Sequence, residues 1–365
     1  MLMAYTKRMK APDAIWWDYI SGSSQLVQET VDAIRDGKNV LLRIDPSLPW
    51  RGTFVKRVVD AIREFDGSIT FEDIHDDAND PGDYLVNYSN LGAAYRKTKS
   101  HAAFLRHHHA LDNRVMWVTA EDRDLAQQWF SFAKEYRSTS THDGLILIES
   151  YSDFTGSASK YMHVIECADF ITEYDMLVFA GLLLPDNKMN MEQKRYITTM
   201  AVSLLGEDAE GIADFIESYQ IDLHDVDQLK TWCRSKDDII HSIWSAQVQT
   251  IFPLIMRECK TFIEQWRERI DDAFGFASTN LRDGVTDGRG ATIGSPDEME
   301  IANIRYLMRN KRRDVYGIET DDYILYIPDE GARMHVDLLY DMRNRIAHGK
   351  VCTAEMVTRL IGSIR

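Results

Sequence analysis

Two periodicities alternate along the first half of the chain. Short, nearly continuous apolar runs occur at Asn39 to Ile44, Ser68 to Ile74, Arg114 to Thr119, Gly144 to Glu149 and His163 to Ile165. Runs of this length bounded by turn residues read as buried strands. Between them the apolar spacing widens to three and four residues. Leu26, Val27, Thr30, Val31 and Ile34 share one helical face, after a capping stretch at Ser21 to Ser24 and before a stop at Gly37. Phe54, Val58, Val59 and Ile62 do the same within Thr53 to Phe65, and further helical patterns run from Leu91 to His109 and from Asp122 to Tyr136. Ile15-Trp16-Trp17 is an apolar cluster expected to pack on this domain. The alternation predicts a doubly wound α/β domain over residues 1–170.

After His163 only the helical period persists. Tyr174 to Leu184, Met191 to Leu205, Asp208 to Tyr219 and Val226 to Arg234 read as short helices, punctuated by Pro185, Gly206 and the stretch Asp222 to Asp225. They form a small all-α domain over residues 171–236. From Asp237 to Phe274 one long helix is expected, with a kink or break at Pro253. A Gly- and Asp-rich loop follows, and Ser295-Pro296-Asp297-Glu298 opens the next helix with a capping box. Tyr323 to Ile327 reads as an extended segment. Val336, Leu339, Met342 and Ile346 place one face of His335 to Ala347 inward, and Thr353 to Ile364 is a last helix. Residues 237–365 thus make a second all-α domain, a bundle of helices.

Composition narrows the class. With 44% hydrophobic and 27% charged residues over 365 positions, the chain can bury a substantial core in more than one domain. A net charge of −16 argues against broad adhesion to nucleic acid or anionic membrane. One basic cluster stands out, Arg305, Arg309, Lys311, Arg312 and Arg313, expected to be a solvated face or a set of ion-pair partners. Cys167, Cys233, Cys259 and Cys352 are scattered, as for reduced thiols. Met1 to Lys10 lacks a following apolar run, so no secretory leader is expected. The longest apolar run, Met176 to Leu184, is nine residues, short of a bilayer span. A cytoplasmic protein with no membrane contact is therefore expected. No metal or cofactor is expected either. Consecutive His107, His108 and His109, with His101 upstream, splay around a helix and cannot converge on one ion, and Asp76-Asp77-x-x-Asp80 lacks a calcium-loop pattern.

The loop Asp45-Pro46-Ser47-Leu48-Pro49-Trp50-Arg51-Gly52 lies between a strand and a helix, the layout of a P-loop. The strand Gly144-Leu-Ile-Leu-Ile-Glu149 has the form of a Walker B strand. On these features the first domain resembles the P-loop NTPase core of AAA+ or STAND-type proteins, whose chains carry a lid or winged-helix domain where residues 171–236 lie. A working P-loop needs Gly-x4-Gly-Lys-Ser/Thr, whose backbone amides and Lys cradle phosphates. Here there is one Gly, two prolines and no Lys, with Arg51 and Thr53 flanking Gly52 in the wrong order. The resemblance is to a degenerate domain, and ATP hydrolysis is not expected.

The strongest chemical signal is Arg343-Asn344-Arg345-Ile346-Ala347-His348-Gly349. Arg343 and His348 are five residues apart, about 140° around a straight helix, and share a face only if the helix ends between them. Gly349 is the stop signal that allows it. Arg-Asn-x3-His followed by Gly, within residues 238–365, resembles the HEPN fold. The resemblance implies metal-independent RNA cleavage at a site composed across a dimer. His348 would transfer protons, Arg343 would stabilise phosphate charge and Asn344 would orient the pair. HEPN modules fused to NTPase-like domains occur in prokaryotic anti-phage defence and conflict systems. The implied partners are RNA, other defence proteins, and a homodimer or hetero-complex through the C-terminal helices. The alternative is a non-catalytic adaptor that uses both domains as docking surfaces.

Overall fold

The computed structural model describes residues 11–364, apart from 45–46, 75–79, 97–98, 186–188, 219–228, 230–231, 233–235, 282, 288 and 314–315. The leader reading at the N-terminus, most of the helix expected at Val226 to Arg234, Asp76, Asp77 and Cys233 lie outside these residues. The chain divides into two compact units, Met1–Leu183 with Glu207–Asp214, and Leu184–Gly206 with Phe215–Arg365.

In the first unit, β1 (Asn39–Arg43), β2 (Thr70–Ile74), β3 (Arg114–Ala120), β4 (Leu145–Ser150) and β5 (Met162–Glu166) form one sheet in the order β2-β3-β4-β1-β5. Every pairing is parallel. A parallel sheet is covered on both faces, which is why β1, β3 and β4 are continuous apolar runs. One face packs on α4 (Pro81–Tyr88), α5 (His101–His107) and α6 (Arg123–Tyr136), with Leu41, Met116, Val118, Ile146 and Ile148 against Leu105, Trp129 and Ala133. On the other face Trp117 meets Phe54 of α3 (Arg51–Phe65) at 6.0 Å between rings. Trp17 of α1 (Pro12–Tyr19) meets Phe54 at 5.0 Å, and Trp16 meets Phe179 of α7 (Glu173–Leu183) at 5.1 Å. The remaining helix of this unit's N-terminal part, α2 (Ser21–Arg35), begins at Ser21 itself. The serines form its first turn and do not cap it.

The strand order creates a switch point. From β1 the chain crosses to the far edge at β2, returns through β3 to β4 beside β1, then passes over β1 to β5. The last connection runs on the α6 face, where Phe154 meets Phe130 at 5.2 Å. Neighbouring strands β1 and β4 therefore send their chains to opposite faces, leaving a crevice at their carboxyl ends.

Of the helix expected from Leu91 to His109, only α5 at His101–His107 forms among the described residues, and α4 ends before Leu91. Asn90 takes a left-handed φ of 58° after α4, and Ser100 caps α5 by accepting the Ala103 amide at 3.3 Å.

The second unit holds α8 (Met191–Leu205), α10 (Lys236–Gln265), α11 (Arg267–Asn280), α12 (Ile301–Arg309), α13 (Glu330–Ala347) and α14 (Ala354–Ser363), while α9 (Ala209–Glu217) straddles the boundary. An antiparallel hairpin, β6 (Lys311–Arg313) and β7 (Glu319–Tyr323), follows α12. Pro253 lies inside α10 without ending it, and the break falls at Trp266. Packing of α10 against α8 and α13 overrides the one lost backbone bond. Ser295 caps only a single 3-10 turn, Pro296–Glu298, and the helix itself starts at Ile301 behind a Glu300–Asn303 capping box. The strand expected at Tyr323 to Ile327 lies earlier, at Glu319–Tyr323, and Ile324, Leu325 and Ile327 are buried anchors beyond it. By length and composition α10 is apolar enough to cross a membrane over Asp237–Gln265. Here it is a core helix that buries Ile243, Ile251, Ile255 and Phe262.

Asn39 ties the first unit together. Fully buried, its Nδ2 donates to the Ala133 carbonyl at 2.9 Å and its Oδ1 accepts the Ile146 amide at 2.9 Å. Asn39→Ala orphans both backbone groups and should lower unfolding free energy by about 2–5 kcal/mol, read from urea denaturation. A change below about 0.5 kcal/mol would mean that water replaces the amide.

Candidate functional site

The crevice between β1 and β4 is filled from within. Glu149, at the end of β4 and with no solvent exposure, accepts from Arg51 Nε at 2.8 and 2.9 Å and from Trp117 Nε1 at 2.7 Å. The Tyr151 hydroxyl also donates to it, and Arg51 Nη2 stands 2.7 Å from its Oε2. Arg51 reaches further to Thr119 Oγ1 at 3.1 Å and towards Asp73 at 3.5 Å. Burial alone would lower the Arg51 pKa, but Glu149 and Asp73 hold it above its ordinary value. Burial, then the Glu149 charge, raises the Tyr151 hydroxyl and pushes the Cys167 thiol up to about 12.

The other groups in P-loop positions are engaged as well. Thr53 Oγ1 donates to Asp13 at 2.7 Å. The amide of Trp50, which enters α3 with a left-handed φ of 45°, donates to the Glu210 carboxylate. A carboxylate thus already occupies the helix N-terminus, where a phosphate would be drawn. An open cleft of about 490 Å³ remains, lined by Arg51, Thr119, Glu121 and Tyr151.

In the second unit the Arg343–His348 motif lies at the end of α13. His348 is the C-cap, with φ −101° and ψ 21°, and Gly349 turns the chain with φ 69°. The helix ends where the sequence places its stop. Arg343 Nη1 lies 3.3 Å from Asn344 Oδ1, and its Nη2 donates to Glu300 Oε2 at 2.8 Å. Arg343 and Asn344 are therefore together, and Arg343 is ion-paired. His348 is exposed, and among the described residues no hydrogen bond joins its imidazole to Arg343 or Asn344. The backbone beneath it is held firmly. Trp244 Nε1 donates to the Ile346 carbonyl at 2.9 Å, and Gln247 bonds both backbone groups of Cys352, at 3.1 and 2.7 Å.

The basic cluster is neutralised. Asp337 accepts from Arg305 at 2.7 Å and from Arg309 at 2.9 Å, while Arg312 pairs with Asp272, Lys311 with Asp321 and Arg313 with Glu319. Arg305 also lies 4.1 Å over the Tyr340 ring. A cleft of about 1370 Å³ opens elsewhere in this unit and is lined by Arg257, Glu258, His335 and Arg359 among others. Its charges also pair, Arg257 with Glu192 at 2.8 Å and His335 with Glu258 at 3.7 Å. Burial lowers the His335 pKa.

One constellation escaped the sequence entirely. His101 Nε2 stands 3.0 Å from Asp83 Oδ1, with Asp80 alongside. No spacing rule links these positions, because they meet only when α4 packs on α5. His109, in contrast, turns away to Asp112 at 3.1 Å.

No protein-family model matches the chain, and none of the curated proteins does. Among solved structures it is similar to Saccharomyces cerevisiae RIF2, with 11% identity over 62% of this chain and 89% of that one, at a TM-score of 0.31. A likeness this low carries no functional argument.

Two outcomes follow. Arg51→Ala leaves Glu149 buried without its cation and should cost about 3 kcal/mol of stability, measured by chemical denaturation. A neutral result would show that Trp117 and Tyr151 suffice. Burial would raise the Asp337 carboxyl, but Arg305 and Arg309 outweigh it and hold it below the ordinary range. A depressed folded pKa gives stability that is present above the unfolded value of about 3.9 and lost as pH falls through the folded value. The stability gap between native protein and Asp337→Asn should be flat above about pH 5 and shrink in acid below about pH 4. A gap that widens in acid contradicts the pairing.

Proposed function

We propose that the second unit is a HEPN-like module bearing a metal-independent endoribonuclease site, Arg343, Asn344 and His348. In this reading the protein serves a prokaryotic anti-phage defence or conflict system in the cytoplasm. One observation carries it: His348 is solvent-exposed on a helix stop whose backbone is clamped by Trp244 and Gln247. An imidazole so placed is open to substrate, and a guanidinium two turns away at most offers a planar fork to phosphate oxygens. With the motif doubled across a pair of chains, one His348 takes the proton of the attacking 2′-hydroxyl. The other gives a proton to the departing 5′-oxygen. Arg343 reaches phosphate only by leaving Glu300, so the site is held off until RNA or a partner displaces that carboxylate.

A second reading, a non-catalytic adaptor within a defence complex, is favoured by the first unit. In a degenerate P-loop NTPase-like domain the cradle is closed by Arg51–Glu149 and Trp50–Glu210, which supports docking in place of ATP hydrolysis.

Total cellular RNA incubated with the full chain in EDTA separates the two. Cleavage that falls by about a hundredfold or more in His348→Ala and Arg343→Ala, and persists in Glu300→Gln, supports the nuclease. No cleavage by the native chain, alone or with co-purifying partners, leaves the adaptor.

A further inference from the structure

We infer that Asp80, Asp83 and His101 form a divalent transition-metal site on the first unit, independent of the RNA-cleaving motif. Their positions follow from how two short helices begin. Asp80 is the N-cap of α4 and accepts the Asp83 amide at 3.0 Å, and Asp83 projects from the same first turn. His101 is the first residue of α5, behind the Ser100 cap. Packing of α4 on α5 brings one ligating atom from each of the three residues within 4.8 Å of the others. A tetrahedral shell with metal–ligand distances of about 2.0–2.2 Å sets donors roughly 3.4 Å apart. Small rotations of the two exposed aspartates close that gap.

The imidazole carries the argument. Its Nε2 is buried and, among the described residues, has no hydrogen-bond partner, although it lies 3.0 Å from Asp83 Oδ1. The approach lacks the alignment of an N–H···O bond, so the imidazole nitrogen and two carboxylates, of which Asp80 also accepts the Asp83 amide, come together with no proton shared between the ring and either carboxylate. A cation is the species that satisfies all three.

The ring is also held in place. Tyr95 stacks on it at 4.3 Å with 26° between planes, and the Tyr95 hydroxyl is fixed by donating to the Lys99 carbonyl at 3.0 Å. On the other side lies Gly82, where a Cβ would come within 2.4 Å of His101 Nδ1. Only glycine lets the imidazole approach the first turn of α4 so closely.

One imidazole and two carboxylates suit zinc or a neighbouring first-row ion better than calcium or magnesium, which take oxygen ligands alone. Exposure of both aspartates leaves further coordination positions to water, so the ion exchanges readily. Its effect is to pin α4 to α5 on the α6 face of the sheet.

Calorimetric titration of chelator-stripped full-length protein with zinc chloride, alongside thermal unfolding, tests this. One zinc per chain with a raised Tm is expected. Asp80→Asn keeps an equally good cap while removing the charge, and Asp83→Asn and His101→Gln remove the other ligands. Loss of outer-shell support alone costs roughly 10–100-fold in metal affinity, so each ligand variant should weaken binding by more than about tenfold and abolish the Tm shift. The triple variant His107→Gln, His108→Gln, His109→Gln should bind as the native chain does. Absence of saturable binding, binding unchanged in Asp83→Asn, or binding lost only in the triple variant would each overturn the site. RNA cleavage in EDTA is read separately, so neither result decides the other.

Discussion

Glu149 is a carboxylate with no contact with solvent, and such a group persists as an ion only where donors replace its water. Three donors do so, Nε of Arg51, Nε1 of Trp117 and the hydroxyl of Tyr151, with Nη2 of Arg51 in ion-pair contact. They come from the helix after β1, from β3 and from the residue just past β4, so one charge fixes three elements at the carboxyl edge of the sheet. The arrangement constrains what else can happen there. An incoming phosphate that claims Arg51 leaves Glu149 short of its cation in a low-dielectric setting, at a cost of several kcal/mol. The Glu210 carboxylate at the start of α3 opposes it again. Competition from internal carboxylates, as much as the missing lysine and glycines, sets this crevice against anions.

The same economy of charge runs through the second unit. Each cation of the basic cluster has a carboxylate beside it, and Asp337 alone engages two of its arginines. Surface pairs of this kind add little stability, but they remove the field that would draw a polyanion from a distance. In the proposed nuclease reading, RNA binding by this unit would depend on local exchange of partners at Arg343. Long-range attraction contributes little.

The sheet was legible because a parallel strand covered on both faces must be apolar at nearly every position, and Val40-Leu41-Leu42 and Leu145-Ile146-Leu147-Ile148 leave no other reading. Helix ends were legible where a single residue decides them, as Gly349 does for α13. What stayed hidden was set by contacts between segments. Pro253 reads as a kink or break, yet α10, packed on α8 and α13, continues past it, and the break falls at Trp266, which no local rule marks. Leu91 to His109 has helical spacing, but Asn90 and Ser100 impose their own turn and cap. His101 looks like one of a histidine run until α4 brings two aspartates to it. The polar network around Glu149 was equally unreadable, since Arg51, Trp117 and Tyr151 have no sequence relation to one another.

The end of α13 distinguishes a helix stop from a site more sharply than the motif itself does. If His348 served only to finish the helix, its ring would bond a terminal carbonyl or lie against the core. Those duties are performed by other residues. Trp244 donates to the Ile346 carbonyl, Gln247 secures Cys352 on both sides, and the Lys350 amide returns to the Arg345 carbonyl at 2.8 Å. The turn is complete without the imidazole, which is exposed on a backbone that half-buried Trp244 and buried Gln247 hold. Placing a titratable group on rigid scaffold while relieving it of structural work is the condition for positioned proton transfer. In the proposed reading, Glu300, the carboxylate bound to Arg343, would decide when the guanidinium is free to join it.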